Sequence, residues 1–469
     1  MYLRYVQSLF FILLFSFCAP VTTHYIVAER HLAEHDLIAA DAVIKKEEKQ
    51  YGANNRLLYL LDRGLSLSLA GHLEESNKLL DRATVLSDQL YTESISLHAA
   101  SLLTNDNALP YTGEDFERVL IHGVSALNYA QLGLLDDALV ECRRMDTQLN
   151  KINNQYRGKK TRYQSDPFAH YLAAILYEAR GEVNDAFVAY RKADALYRDW
   201  AEMYRTPIPS MIGADLLWAT NALGLHEEYE AYQKRFQTVE GIPKRVDPSE
   251  GEMIIVSMHG KSPYKESSFF DIIINANILT SILATTVWQS HMGSGEAPIS
   301  LLGQLVRVAV PKYVAQKSAV QRLQTTLSNA TASFSGISVP MQDITAIAIG
   351  NMEDRLNRMR IKAIARATIK AMAVRKTSKK AEKELGEIGG FFIGKIAEAV
   401  AATTEVADTR SWRTLPDQIH LTRMAVPPGD YQISTRFIGQ NGGTLDSYTQ
   451  QPVSIMAGEK RFILFRTIY

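Results

Sequence analysis

Apolar residues recur at helical spacing through the first half of the chain, in paired blocks joined by a turn residue. From Asp166 to Tyr197, Phe168, Leu172, Ile175 and Leu176 mark one helix, Ala186, Tyr190 and Ala193 mark the next, and Gly181 lies between. Small Ala174 stands where two backbones must come close. The segment from Leu57 to Ala83 repeats the arrangement, with Gly64 at the close-contact slot, Gly71 at the turn, and Ser76, Leu80 and Ala83 on the second helix. A third block carries Ala126, Tyr129, Gly133 and Ala138, followed by Cys142 and Met145. His35 and Gly224 take the turn position in degenerate first and last copies. The pattern predicts helical hairpins over 25–240, with loop insertions at about 87–114 and 148–164.

These blocks resemble the tetratricopeptide repeat, which takes a small residue in its first helix, Gly at the turn, and Ala, an aromatic and Ala along the second. Ala174, Gly181, Ala186, Tyr190 and Ala193 fill all five slots. The resemblance implies a solenoid whose groove holds a protein or peptide partner.

At 242–251 the helical pattern stops in a stretch containing Pro243 and Pro248. Met253 to Met258 reads as a buried strand, and LVRVAVPKYV as another with Pro311 at an edge. The apolar stretch from Phe269 to Trp288 contains Asp271, Asn275 and Asn277, and reads as a buried or interface helix rather than a membrane span. A long helix is expected over 343–385. On it Arg355, Arg358, Lys362, Arg366 and Lys370 form one basic stripe beside Leu356, Met359, Ala363, Ala367 and Ala371. The stripe is either a packed or solvated face, or a contact for an anionic surface such as lipid headgroups or peptidoglycan. From 416 the period is two, with Ile419, Leu421 and Met424, then Tyr431, Ile433 and Thr435, then Val453, Ile455 and Phe462 to Phe465.

The fold class expected is therefore multidomain α+β. An N-terminal all-α tetratricopeptide-type solenoid (25–240) precedes a mixed α/β region with the long basic helix (250–415) and a small C-terminal antiparallel β module (416–469). Ahead of these lies a signal segment over 1–23, in which Arg4 precedes an apolar run from Leu9 to Phe17. Cys18 closes that run, as the lipid-attached cysteine of a lipoprotein or as part of a signal cleaved around Val21 to Thr23. Either route places the protein in the cell envelope, periplasmic or anchored at the outer membrane.

Fifty-one basic and 51 acidic residues cancel, so charge gives no case for a nucleic-acid partner. Cys142, the one other cysteine, has no His or Cys beside it at motif spacing and reads as core filler. Gly260-Lys261-Ser262 lacks the earlier Gly of a phosphate-binding loop, with Ile255 in its place. No HExxH, GxSxG, Cys-rich metal spacing or dinucleotide loop occurs, so no catalytic, cofactor or metal residue is expected. His226-Glu227-Glu228 and His259-Gly260 read as surface turns.

Asp408, Arg410, Trp412, Leu415 and Pro416, with Pro428-Gly429 and Tyr431, the repeats, the Gly260 turn and the basic Ala-rich helix, complete a second likeness. Together they resemble a family of uncharacterised bacterial envelope proteins, typically predicted lipoproteins, that carry tetratricopeptide repeats. That resemblance carries over no catalytic residue. It implies an exported, non-enzymatic scaffold that binds a protein or peptide partner in the repeat groove and serves envelope or cell-wall assembly. The alternative is an enzyme or binder acting on cell-wall polymer through 250–420. Trp412, between Arg410 and Arg413, reads as a buried anchor with a stacked guanidinium rather than a sugar platform.

Overall fold

A computed structural model describes residues 23–97, 109–156, 161–236, 249–283, 302–303, 305–371, 383, 406–450 and 452–469. The signal segment and Cys18 lie outside them. Five helical hairpins come first: α1 (Thr23–Ala33) with α2 (Leu37–Lys46), α3 (Arg56–Leu69) with α4 (Leu73–Leu97), α5 (Asp115–Gln131) with α6 (Leu135–Gln155), α7 (Pro167–Ala179) with α8 (Val183–Tyr204), and α9 (Met211–Ala222) with α10 (His226–Phe236). The helices α4 and α6 run into stretches expected to be loops.

Each expected turn residue has positive φ: His35 57°, Gly71 82°, Gly133 74°, Gly181 77° and Gly224 67°. The hydrogen bonds explain why. Gly71 N–H donates to Ser68 O and His72 N–H to Leu67 O, and the pair recurs at Gly133 with Leu134, closing the helix end with a left-handed residue. The close-contact slot is equally literal, because a Cβ on Gly64 would stand 2.6 Å from Leu80 Cδ2. Ser76, at the slot where Ala is usual, donates its hydroxyl to Gly64 O at 2.6 Å.

Beyond the solenoid the strands form three sheets. Strand β1 (Gly251–His259) is followed by a ribbon of β2 (Tyr264–Ile273) and β3 (Leu305–Val314), with the short helix α11 (Ala276–Leu283) in its connection. Then come β4 (Val320–Ser328), β5 (Ser333–Ile337) and β6 (Val339–Asp343), and helix α12 over 344–371. After 406 follow β7 (Gln418–Val426), β8 (Gly429–Gly439), β9 (Thr444–Thr449), β10 (Val453–Ile455) and β11 (Lys460–Arg466).

The first sheet has the order β11-β1-β7-β6, and the second joins β10, β8, β4 and β5 with β9 beside β8. β1 therefore lies between β11, which it pairs in parallel, and β7, which it pairs antiparallel. A boundary at 416 would cut both sheets, so 416–469 is half of a sandwich whose other half comes from 250–343. Its first sheet is mixed rather than antiparallel. The apolar stretch from Phe269 also divides differently from the single helix expected: Phe269 to Ile273 are strand, Ile274 and Asn275 connect it to α11 (Ala276–Leu283), and 284–288 lie outside the described residues. Among the described residues no helix is long and apolar enough to cross a membrane.

The layers stack as solenoid, first sheet, second sheet. Ile254, Val256 and Met258 of β1 join Leu421 and Phe462 in one core with the solenoid helices. Met253 and Ile255, on the opposite face, pack with Leu323, Phe437 and Phe465 in the sandwich core. Burial on both faces explains the unbroken apolar run of β1.

One end of the sandwich interior is polar. His259 and His420 stack with ring centroids 4.0 Å apart, and His259 is fully buried rather than on a surface turn. Burial pushes the His420 imidazole down to about 4. Lowering applies to a base, so its contribution is present above the ordinary value of 6.5 and lost as pH falls toward 4. Replacing His420 by Gln should therefore flatten the acid side of the stability profile, by about 2–3 kcal/mol across that window, read by urea denaturation at several pH values.

Candidate functional site

The groove expected to hold a partner is occupied by the chain itself. Thirteen of the 14 residues of α3 are buried and 14 of the 17 in α5, whereas the second helices α6 and α8 bury only one stripe. A helix buried all round has neighbours on both sides. The second helices cover one side, and β11 lies against α3 and α5 on the other. The face filled by the first sheet is the inner one that first helices line in such solenoids.

Arg423 is the centre of that interface. On β7 it follows Ile419 and Leu421 at period two, which aims it at the solenoid. Its Nε donates to Glu252 at 2.6 Å, and Nη1 to Asp215 at 2.9 Å and to the Tyr190 hydroxyl at 3.1 Å. Nη2 donates to Glu178 at 3.2 Å and to the second Glu252 oxygen at 3.0 Å. Tyr171 donates to Asp215 at 2.5 Å and Tyr190 to Glu178 at 2.6 Å. Lys460, from β11, bridges Glu178 and Glu252. Burial would lower the Arg423 guanidinium, but Asp215, Glu252 and Glu178 outweigh it and hold the group charged. Three carboxylates against two cations leave the cluster one charge negative.

The segment around Trp412 is a second clasp. Arg410 holds Asp408 through Nη2 at 2.7 Å and donates to Leu109 O at 2.9 Å, joining the segment to the solenoid. Trp412 is fully buried, its N–H donating to Glu117 at 2.7 Å and its indole to Thr414 at 2.8 Å. Thr414 in turn donates to Asp62 at 2.9 Å, which also accepts from Tyr25 at 2.7 Å and Tyr51 at 2.9 Å. Burial raises the Asp62 carboxyl to about 6 against those three hydrogen bonds. Burial and the neighbouring charge of Glu114 raise Glu117 to about 7. The guanidinium groups stack on other rings than the indole: Arg410 over Tyr111 and Arg413 over Tyr25.

The basic stripe is not one exposed surface. Arg355 pairs with Glu114, which also takes Lys265 Nζ at 2.6 Å. Arg358 lies 4.4 Å over the Tyr156 ring, and Arg366 is buried. Lys362 and Lys370 are half-buried and have partners of their own. Packing against the ribbon and the solenoid takes up Arg355 and Arg366, while Arg358 stays exposed.

Cys142 is buried, and burial raises its thiol, which keeps it unreactive. The Gly260 turn is structural, with Lys261 ion-paired to Glu29 at 2.7 Å and Ser262 N–H donating to Leu415 O at 2.9 Å. Among the described residues no group of three or more His, Cys, Asp or Glu could hold a metal ion.

No protein-family model and no curated protein matches this chain. Among solved structures, MamA is 16% identical over 46% of this chain and 94% of its own, with a TM-score of 0.30. A Podosopora anserina protein of kinesin light chain type, with nearly identical TPR-like repeats, is 14% identical over 48% of this chain and 97% of its own, with a TM-score of 0.33.

Proposed function

We propose that the protein is a non-catalytic interaction scaffold, exported to the cell envelope, that binds protein partners through surfaces other than its repeat groove. The observation carrying this reading is the Arg423 interface: the groove already holds the first sheet through one shared core and one buried ionic cluster. Export rests on the apolar run after Arg4 and on Cys18. The second helices keep apolar residues on the outside, with Val140 and Val188 exposed. These positions, unlike the groove, are open to another protein.

The test is capture of partners from envelope extracts by three full-length forms. The parent should capture partners, Val140→Glu with Val188→Glu should lose them, and Lys460→Gln, which loosens the groove contact, should gain none. Partners that appear only with Lys460→Gln would make the groove the binding site and the sandwich its latch. Turnover of a cell-wall polymer by the purified protein would establish the enzymatic alternative instead.

A further inference from the structure

Between the ribbon and helix α12 lies an open pocket of about 280 Å³. Small-molecule sites start at roughly 300 Å³, so this one suits a single short tail or ring. Val310, Met352 and Leu356 give it apolar walls. Tyr313 lines the same space, and its buried hydroxyl has no hydrogen-bond partner.

The charges at the pocket are unequal. Lys312 and Arg360 both line it and are exposed, and neither has an ion-pair partner among the described residues. Glu353, the one acidic lining residue, is paired with Arg162 at 2.6 Å. Glu266 stands opposite Lys312 in the ribbon ladder, exposed and outside the lining. An apolar slot bordered by two uncommitted cations is complementary to a ligand that joins a short hydrocarbon tail to an anionic head.

We propose that this pocket binds a single-tailed anionic amphiphile, with the tail against Val310, Met352 and Leu356 and the head between Lys312 and Arg360. Free fatty carboxylates and the acyl portion of an anionic membrane lipid share that chemistry.

Calorimetric titration of the full-length protein with monomeric decanoate tests it, with decanol as the uncharged control and anionic phospholipid vesicles as a separate arm. Decanoate should bind saturably and decanol about tenfold more weakly or worse. Lys312→Gln with Arg360→Gln should lose about tenfold in decanoate affinity at low salt, and raised salt should weaken the parent in the same direction. Leu356→Trp should remove binding by filling the slot. Since both cations are exposed, the Gln pair keeps the test standing even where the Trp variant folds poorly. Equal affinity for decanol and decanoate, an unchanged affinity in the Gln pair, or binding to vesicles with none to monomeric decanoate would each overturn the assignment. Parallel loss of decanoate and vesicle binding in the Gln pair identifies the lipid acyl chain as the source. Loss of decanoate binding alone identifies the free acid.

Discussion

Replacing Arg423 by Met should cost about 3–5 kcal/mol of stability near pH 8, the range for removing one partner of a buried ion pair. The cause is what remains. Glu178, Asp215 and Glu252 would share Lys460 alone, in an interface where each of the three is buried. Methionine fills most of the volume, so the loss measures charge rather than a cavity. Arg423→Lys should fall between parent and Met variant, because an ammonium restores the charge but not the fork that reaches Glu252, Asp215 and Glu178 together.

The pH dependence separates this account from simple loss of packing. In the Met variant the orphaned carboxylates have folded-state pKa values raised above their unfolded ones, so they favour the folded state at low pH and cost stability as pH rises. The gap between parent and variant should therefore narrow as pH falls from about 8 to about 5. Urea denaturation at both values reads it. A gap under about 1 kcal/mol near pH 8, or one that widens on acidification, would mean the cluster is worth no more than a surface pair.

Much of the solenoid was legible because its rules are local. A turn needing positive φ asks for Gly within a few residues of the helix it ends, and Gly71, Gly133, Gly181 and Gly224 all answer it. His35 does so with a side chain, stacked against the Tyr448 and Phe437 rings of the sandwich. Gly64 with Leu80 is a contact within one hairpin. The sandwich was only half legible. Period two reveals each strand, but β1 pairs with β7 and β11 across more than 150 residues, and nothing in the local pattern specifies that register.

Two signals for the covered groove were nonetheless present. LLYLLDRGLSLSL and FAHYLAAIL lack the continuous polar face of a helix open to water, which argues for packing on both sides. Arg423 stands at period two after Ile419 and Leu421, a charge on the face that the strand buries, and such a charge requires a partner. The basic stripe left two readings open. Helical period puts five cations in line, but only the tertiary fold decides that Arg355 meets Glu114 and that Arg366 is buried.

Trp412→Ala should likewise cost about 3–5 kcal/mol, the usual loss for a fully buried aromatic cut to a methyl group. The backbone N–H that donates to Glu117 survives the change, as does the Thr414 hydroxyl on Asp62, so the loss isolates the indole and the cavity it leaves. Trp412→Phe should recover most of that loss, since the ring refills the space and Thr414 gives up one donor without becoming buried and unpaired. A sugar platform behaves otherwise, because stacking on a carbohydrate needs an exposed face and contributes little to folding. Retention on peptidoglycan should then be the same for parent and Trp412→Phe, while the urea midpoint of Trp412→Ala falls well below both. If the Ala variant instead unfolds within about 1 kcal/mol of the parent and is no longer retained on peptidoglycan, the clasp is a binding site and its place in the core is secondary.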